Sequence, residues 1–403
     1  MRFLYSHGIY LYTLGVHLAS LWNSKARLMC QGWKAEVPSL EGRTAWFHAS
    51  SLGEFEQARP VLEQFKAQHP DYKIVVTFFS PSGYEVRKNY TGADHILYLP
   101  MDTRRNARRW VERISPSVVF FVKYDFFFNY LHELQRRQVP TYIFSAIFRP
   151  SHYFFQWYGG WFCRQLHCYS HLFVQNEESL HLLQSHGITQ CSLAGDTRFD
   201  RVHHIALAAK RYPEIEAFIE GHPVLMAGSS WLPDEQHIKH FLDHYEGDLR
   251  LILAPHVIDE EHLQAIEALF GKHRCVRYSE LKPGSDKEVL IINNFGMLSS
   301  LYRYATVAYV GGAFGHGLHN ILEALTFGKP VCFGPKYDKF QEAKDILALE
   351  GGFSYTDRDD LARQLTLWFT NNDAYRKASQ TCLDYVERNL GSTSIILNTI
   401  QHQ

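Results

Sequence analysis

From about residue 43 the chain alternates short apolar runs with stretches of helical character, and it does so twice. In the first half TAWFHA (44–49), KIVVTFF (73–79), HILYLP (95–100), SVVFFV (117–122), TYIFSAIF (141–148), HLFVQN (171–176) and QCSLAG (190–195) read as strands. In the second half PVLMAGS, RLILAP, CVRYS, EVLIINN, TVAYVGG and PVCFG do the same. Runs that are apolar on both faces, separated by helices, belong to parallel sheets covered on both sides. The stretch 202–222 (VHHIALAAKRYPEIEAFIEGHP) contains no strand and reads as a helical connector. The expected fold is therefore α/β, with two Rossmann-like domains facing a cleft. Residues 41–205 would form the first and 206–403, with the C-terminal helices, the second, behind an N-terminal segment 1–40. A chain of 403 residues suits two domains.

The composition excludes several classes. Hydrophobic residues at 46% and charged residues at 21% describe a globular chain, not a disordered one. A formal net charge of -1 argues against a dedicated nucleic-acid binder, which needs a strongly basic face. The seven cysteines form no CxxC pair, and the 23 histidines show no HExxH spacing. Scattered reduced thiols and no metal site are expected.

Residues 3–24 (FLYSHGIYLYTLGVHLASLWNS) carry no Asp, Glu, Lys or Arg, and basic residues follow at Lys25, Arg27 and Lys34. The stretch lacks a cleavable signal pattern, and its His, Gly, Ser and Thr weaken it as a membrane span. Its Tyr and Trp suit a helix lying at a membrane surface with its basic flank towards anionic lipid.

In open parallel sheets, ligands meet the loops that follow the strands. After the first strand comes HASSLGEFEQ, with Ser51, Gly53 and Glu54 at a helix start. A carboxylate there favours the helix dipole, and it also suits a general base. The second loop, TFFSPSGYE, offers Ser80, Ser82 and Gly83 for an anion or a sugar. VKYDFFFN places Lys123 and Asp125 at a strand end, and AGDTRFDRV places Arg198 between Asp196 and Asp200. In the second half Pro255 and His256 end a strand, and Gly296, Met297 and Leu298 precede a helix. GGAFGHGLHNILEA follows the strand TVAYV. Its glycines permit close backbone approach, and Glu323 can accept two hydroxyls of a ribose.

Taken in order, WFHASSLGEFEQ, TFFSPSG, VKYDFFFN, GDTRFDRV, LILAPH, FGMLSSLY, GGAFGHGLHNILEA and FGPKYDKFQEAKD resemble the 3-deoxy-D-manno-octulosonic acid (Kdo) transferases of lipopolysaccharide assembly. The resemblance implies a two-domain glycosyltransferase type B fold, CMP-Kdo as donor, and a phosphorylated lipid A precursor as acceptor. It implies the cytoplasmic face of the inner membrane as the place of work, with no catalytic metal and no cofactor. It makes Glu54 the general base and Arg198, where Lys is usual, the transition-state cation. Asp125 falls where many members carry Glu. Ser51, Gly53, Ser80, Ser82 and Gly83 fall to the acceptor side. Pro255, His256, Gly296, Met297, Leu298, Asn320, Ile321, Leu322 and Glu323 match CMP-binding segments. Met297 replaces a Glu of the family's GEL loop. Two other functions suit such a fold: nucleotide-sugar epimerisation, and nucleotide-sugar binding without catalysis.

Overall fold

A computed structural model describes residues 2–315 and 317–401. The chain forms two compact units, residues 1–201 with 390–403, and residues 202–389.

The first unit opens with α1 (Arg2–Ala19) and α2 (Ser24–Gly32). Next come β1 (Thr44–Ala49), α3 (Leu52–Gln68), β2 (Lys73–Phe78), α4 (Pro81–Arg87) and β3 (His95–Tyr98). They are followed by α5 (Arg104–Ile114), β4 (Val118–Val122), α6 (Phe128–Arg136), β5 (Thr141–Ala146) and α7 (Gly160–Gln165). The unit continues through β6 (His171–Val174), α8 (Glu177–Ser185), β7 (Cys191–Leu193) and into α9 (Thr197–Leu207). All seven strands are parallel, in the order β3-β2-β1-β4-β5-β6-β7. The two-residue period of each strand divides its side chains between two cores. Trp46, Val75, Val119, Phe121, Ile143 and Leu172 join one, with α5 and α6 residues. Phe47, Ile74, Val76, Phe120, Tyr142 and Phe173 join the other, with α3.

In the second unit come α10 (Pro213–Ile219), β8 (Val224–Ser230), α11 (Leu232–His244), β9 (Arg250–Pro255), α12 (Glu260–Phe270), β10 (Cys275–Arg277) and β11 (Val289–Ile291). They are followed by α13 (Leu298–Leu301), β12 (Val307–Val310), α14 (Leu322–Leu325), β13 (Val331–Phe333) and α15 (Gln341–Ala348). The remainder is β14 (Gly352–Ser354), α16 (Arg358–Thr370) and α17 (Asn372–Arg388). This sheet is also parallel, in the order β10-β11-β9-β8-β12-β13-β14.

Three expectations change. The edge strand β14 went unread, because its three residues begin with the second of two glycines and carry no apolar run. The apolar stretch after Asn320 yields only the four residues of α14. Residues 390–403, assigned from sequence to the second domain, belong to the first unit. There α18 (Ser392–Gln401) buries Ile396 and Leu397 in the core beside α3. Asp200 ties down its start, accepting from the N–H of Gly391 and of Thr393, both at 2.7 Å.

The N-terminal segment is helical, but no helix among the described residues is long and apolar enough to cross a membrane. α1 is held to its unit through Tyr5, whose hydroxyl donates to Asp102 Oδ2 at 2.5 Å and whose ring packs on Phe128 and Trp161. Burial raises the Asp102 carboxyl to about 6, against the bonds it accepts from Tyr5 and the N–H groups of Asn129 and Tyr130. Leu4, Leu11, Leu14 and Leu18 of α1 stay exposed, as do Leu21 and Trp22 beyond it.

Candidate active site

Each sheet has one place where the strand order reverses, β1 beside β4 in the first and β8 beside β12 in the second. Loops leaving neighbouring strands there part in opposite directions and open a crevice at the carboxyl ends. Ser51, Gly53, Glu54 and Asp125 follow the strands at the first of these places, and Asn320 to Glu323 follow β12 at the second; the other candidates lie at or beyond the ends of β2, β7, β9 and β11.

In the first unit Ser51 caps α3, and Glu54 is the third residue of that helix. The Ser51 hydroxyl donates to Glu54 Oε2 at 3.0 Å, and Glu54 N–H donates to Ser51 Oγ at 3.4 Å. The capping function read from sequence is thus present. Glu54 is half-buried, and burial raises its carboxyl above the ordinary range. The Ser51 hydroxyl and the Lys123 charge pull in the other direction. A Cβ at Gly53 would meet nothing within 4 Å, so packing does not require glycine there.

Asp125, after β4, is buried at 5% exposure. Ser50 donates to it twice, from Oγ to Oδ1 at 2.5 Å and from N–H to Oδ2 at 3.2 Å. Burial and then the Glu54 charge push its carboxyl well above the ordinary range. The Glu54 charge thus disfavours ionisation of Asp125. Behind them stands His48, with Nε2 at 3.8 Å from Asp125 Oδ2 and Nδ1 at 2.7 Å from Thr77 Oγ1. Trp46 Nε1–H also donates to Thr77, at 2.8 Å. Burial lowers His48 to about 3, so the ring is neutral. Lys123 adopts a left-handed φ of 59°, and its Nζ lies 5.5 Å from the Tyr124 ring centroid.

Arg198 is linked to the same helix as Glu54. Its Nε–H donates to Asp196 Oδ2 at 2.7 Å, and Gln57 of α3 donates to Asp196 Oδ1 at 2.9 Å. Gln57 lies one turn along α3 from Glu54. Burial alone would raise Asp196, but the Arg198 charge and the bonds from Arg198 and Gln57 hold it below its usual range. Ser80 and Ser82 are spent on capping α4: Ser82 N–H donates to Ser80 Oγ at 3.2 Å, and the hydroxyls bond at 2.5 Å. Gly83 has a packing reason, since a Cβ would meet the Phe78 ring at 2.3 Å.

In the second unit Pro255 closes β9 and His256 N–H donates to Ser230 O at 2.9 Å. Gly296 has a φ of 87°, and Met297 and Leu298 lead into α13. Asn320 Nδ2 donates to Glu323 Oε1 at 3.1 Å. Ile321 and Leu322 are core residues, 1% and 0% exposed, so only their backbone can meet a ligand.

Four residues here were not singled out from sequence: Trp231, Asp234, Glu235 and His319. The His256 ring stacks on both Trp231 and His319, with centroids 4.7 Å and 4.6 Å away, and Trp231 Nε1–H donates to His319 Nε2 at 3.5 Å. Asp234 binds the N–H groups of Trp231 (2.9 Å) and Gly312 (3.0 Å) and the Tyr309 hydroxyl (2.8 Å), joining the β8 and β12 loops. Glu235 Oε1 accepts from Ser230 Oγ at 2.9 Å and lies 3.0 Å from His262 Nε2. The signal for Trp231, Asp234 and Glu235 was the stretch SSWLPDE, a capped helix start with two acids directly after a buried strand.

A family model described as 3-deoxy-D-manno-octulosonic-acid transferase (kdotransferase) matches residues 23–201. Curated 3-deoxy-D-manno-octulosonic acid transferases match across both units. The one from Aquifex aeolicus is 26% identical over 329 residues, 80% of this chain and 84% of its own. That from Rickettsia felis is 25% identical over 369 residues, 85% and 76%. The chain is thus similar to Kdo transferases over most of its length.

Solved structures share the fold. UDP-GlcNAc 2-epimerase from Neisseria meningitidis bound to UDP-GlcNAc superposes with a TM-score of 0.64 at 15% identity, covering 89% of this chain and 100% of its own. Acinetobacter baumannii MurG does so with 0.58 at 11% identity, covering 90% and 100%. Among the described residues, no group of three or more His, Cys, Asp or Glu is placed to hold a metal.

Lys123 yields a pH test. Its charge lowers Glu54, so Lys123→Met raises Glu54 further and moves the acidic limb of the rate profile to higher pH. A pH–rate profile checks this; an unmoved limb would show that Lys123 does not act on the titrating group.

Proposed function

We propose that the chain is a metal-independent, inverting glycosyltransferase that moves Kdo from CMP-Kdo to a lipid A precursor of lipid IVA type in lipopolysaccharide core assembly. The observation that carries this is Glu54. It is a half-buried carboxyl with its pKa raised by burial, at the switch point of a Kdo transferase sheet. A base that must take a proton from a sugar hydroxyl near neutral pH works best with its affinity raised in this way.

Glu54 accepts the proton of the acceptor hydroxyl as that oxygen bonds to the anomeric carbon of Kdo. The bond from that carbon to the CMP phosphate breaks, and CMP leaves with the electron pair. Attack from the face opposite CMP inverts the centre, as in inverting glycoside hydrolysis with a sugar hydroxyl in place of water. Arg198, steered by Asp196, offers the cation for the charge that develops. Burial and the Glu54 charge favour the neutral form of Asp125, which limits adjacent negative charge in the site. Pro255, His256, Gly296, Met297, Leu298, Asn320, Glu323 and the backbone of Ile321 and Leu322 would bind CMP-Kdo. Ser51, Gly53, Ser80, Ser82 and Gly83 would border the acceptor. The exposed leucines of α1 support work at the cytoplasmic surface of the inner membrane, with the helix lying in the interface.

One experiment tests these points together. The full chain is mixed with CMP-Kdo and a lipid IVA-type acceptor in anionic vesicles, with and without EDTA, then floated on a density gradient and assayed for product. Kdo-lipid formed in both samples, with the protein floating, is the expected result. CMP binding without product would leave a binding protein, and turnover of a nucleotide sugar without acceptor an epimerase. Product lost in EDTA refutes metal independence, and protein left at the bottom refutes the membrane contact.

A further inference from the structure

His48 is fully buried in β1, a titratable ring that the transfer step does not use. Its neighbours fix which nitrogen carries its hydrogen. The Trp46 indole can only donate, and its Nε1–H goes to Thr77 Oγ1 at 2.8 Å. The Thr77 hydroxyl has one proton to give. His48 Nδ1 stands 2.7 Å from Thr77 Oγ1, and the Phe47 carbonyl oxygen stands 3.5 Å from it. Hydroxyl hydrogen bonds are made at about 2.5–3.0 Å, so the proton goes to Nδ1. A neutral imidazole whose Nδ1 accepts carries its hydrogen on Nε2, and burial keeps this ring neutral.

With that tautomer set, the donors form one directed row. His48 Nε2 lies 3.4 Å from Ser50 Oγ and 3.8 Å from Asp125 Oδ2. Ser50 gives its own hydroxyl proton to Asp125 Oδ1 at 2.5 Å, which leaves its oxygen able to accept. Each hydrogen from Trp46 through Thr77, His48 and Ser50 is thus directed towards Asp125. A bare Nε2 would instead compete for the Ser50 proton and draw it away from the carboxyl. The ring is held in the row by Phe121 and Phe127, which meet it edge-on with centroids 5.8 Å and 4.9 Å away. At the other end of the row the main chain of Asp125 is fixed as well, its carbonyl accepting from the Tyr169 hydroxyl at 3.0 Å.

We propose that His48 is a positioning residue for the transfer reaction: held by Thr77 with its hydrogen on Nε2, it directs the Ser50 hydroxyl onto Asp125 and fixes that carboxyl in the loop after β4. Asp125 and Glu54 interact through their charges, so the placement of one sets the field at the other. The inference rests on the reading of Glu54 as the base, because His48 acts on the rate only through that pair.

Two measurements on the full chain test it. With ¹⁵N-histidine labelling, the signals that His48→Gln removes should be those of a neutral ring with its hydrogen on Nε2, and Ser50→Ala should shift the Nε2 signal. A hydrogen on Nδ1 overturns the row. The second measurement is kinetic, at saturating CMP-Kdo and lipid acceptor. His48→Asn, whose amide reaches only the place of Nδ1, is expected to lower kcat about 10²-fold with the donor KM within about twofold of the parent. His48→Gln, whose amide N–H reaches the place of Nε2, should recover most of that loss. Ser50→Ala breaks the same row from the loop without touching the buried strand, and should lower kcat about tenfold even if the His48 variants fold poorly. Parental kcat in Ser50→Ala, or equal kcat in folded His48→Asn and His48→Gln, overturns the role of His48 and leaves the transferase reading intact. A parent chain that forms no product overturns the transferase reading itself, and the role of His48 with it.

Discussion

Replacing Glu54 by Gln is expected to lower the turnover number by about 10²–10⁴-fold, the usual contribution of a positioned base. Binding of CMP should be unchanged, because the segments proposed to bind the nucleotide all lie in the other unit. Stability should not fall. The Glu54 carboxyl is raised in the folded chain, so ionising it costs folding free energy. That cost is absent below the unfolded value near 4.5 and grows as pH rises through the folded value. At neutral pH the amide removes it, so the variant should melt no lower than the parent. Kinetics at saturating donor, with calorimetry of CMP binding and thermal melting, separate the three statements. A variant with full turnover removes Glu54 as base. One that melts several degrees lower would show that the carboxylate holds the fold.

The second large effect is expected at Asp234→Ala. Three buried groups converge on this carboxylate: the N–H groups of Trp231 and Gly312 and the Tyr309 hydroxyl. Removing one partner of a buried polar cluster costs about 3–5 kcal/mol, because the others are left without acceptors. Relief of Asp234's own burial, which raises its carboxyl, offsets part of this. The loss falls on the loops leaving β8 and β12, so CMP binding should weaken together with stability. Gly311 shows how tightly those loops meet, since a Cβ there would lie 2.4 Å from Ser229 O and 2.8 Å from Asp234 Oδ2. Asp234→Asn keeps one acceptor oxygen and should fall between parent and Ala. Urea unfolding with CMP calorimetry reads both effects. A change under about 1 kcal/mol would mean that water replaces the carboxylate, contrary to its 1% exposure.

The difference between Glu54 and Asp234 shows what could be read early. Glu54 follows an apolar run and a serine, a local pattern that marks a helix start at a strand end. Asp234 sits in a similar pattern, SSWLPDE, but its meaning comes from Tyr309 and Gly312, more than 70 positions away. His48 offered a signal that was not used. It is a polar residue in the strand TAWFHA, whose every position is buried. Such a residue needs partners, and Thr77 Oγ1 at 2.7 Å and Ser50 Oγ at 3.4 Å are the groups nearest its two ring nitrogens, with Asp125 at 3.8 Å. Ile321 and Leu322 illustrate the opposite case. They match a ligand-binding segment, yet their side chains fill the core.

By itself the order of residues determined the alternation of strands and helices, thirteen of the fourteen strands, and the loops on which the chemistry stands. Those features are local: a strand's apolar run, a capping serine and a turn glycine act within a few neighbours. Only the tertiary structure decided the protonation of Glu54 and Asp125, the attachment of Tyr5 to Asp102, and the return of residues 390–403 to the first unit. Each of these depends on burial and on partners far apart in the chain, and no periodicity in the sequence encodes which distant groups will meet.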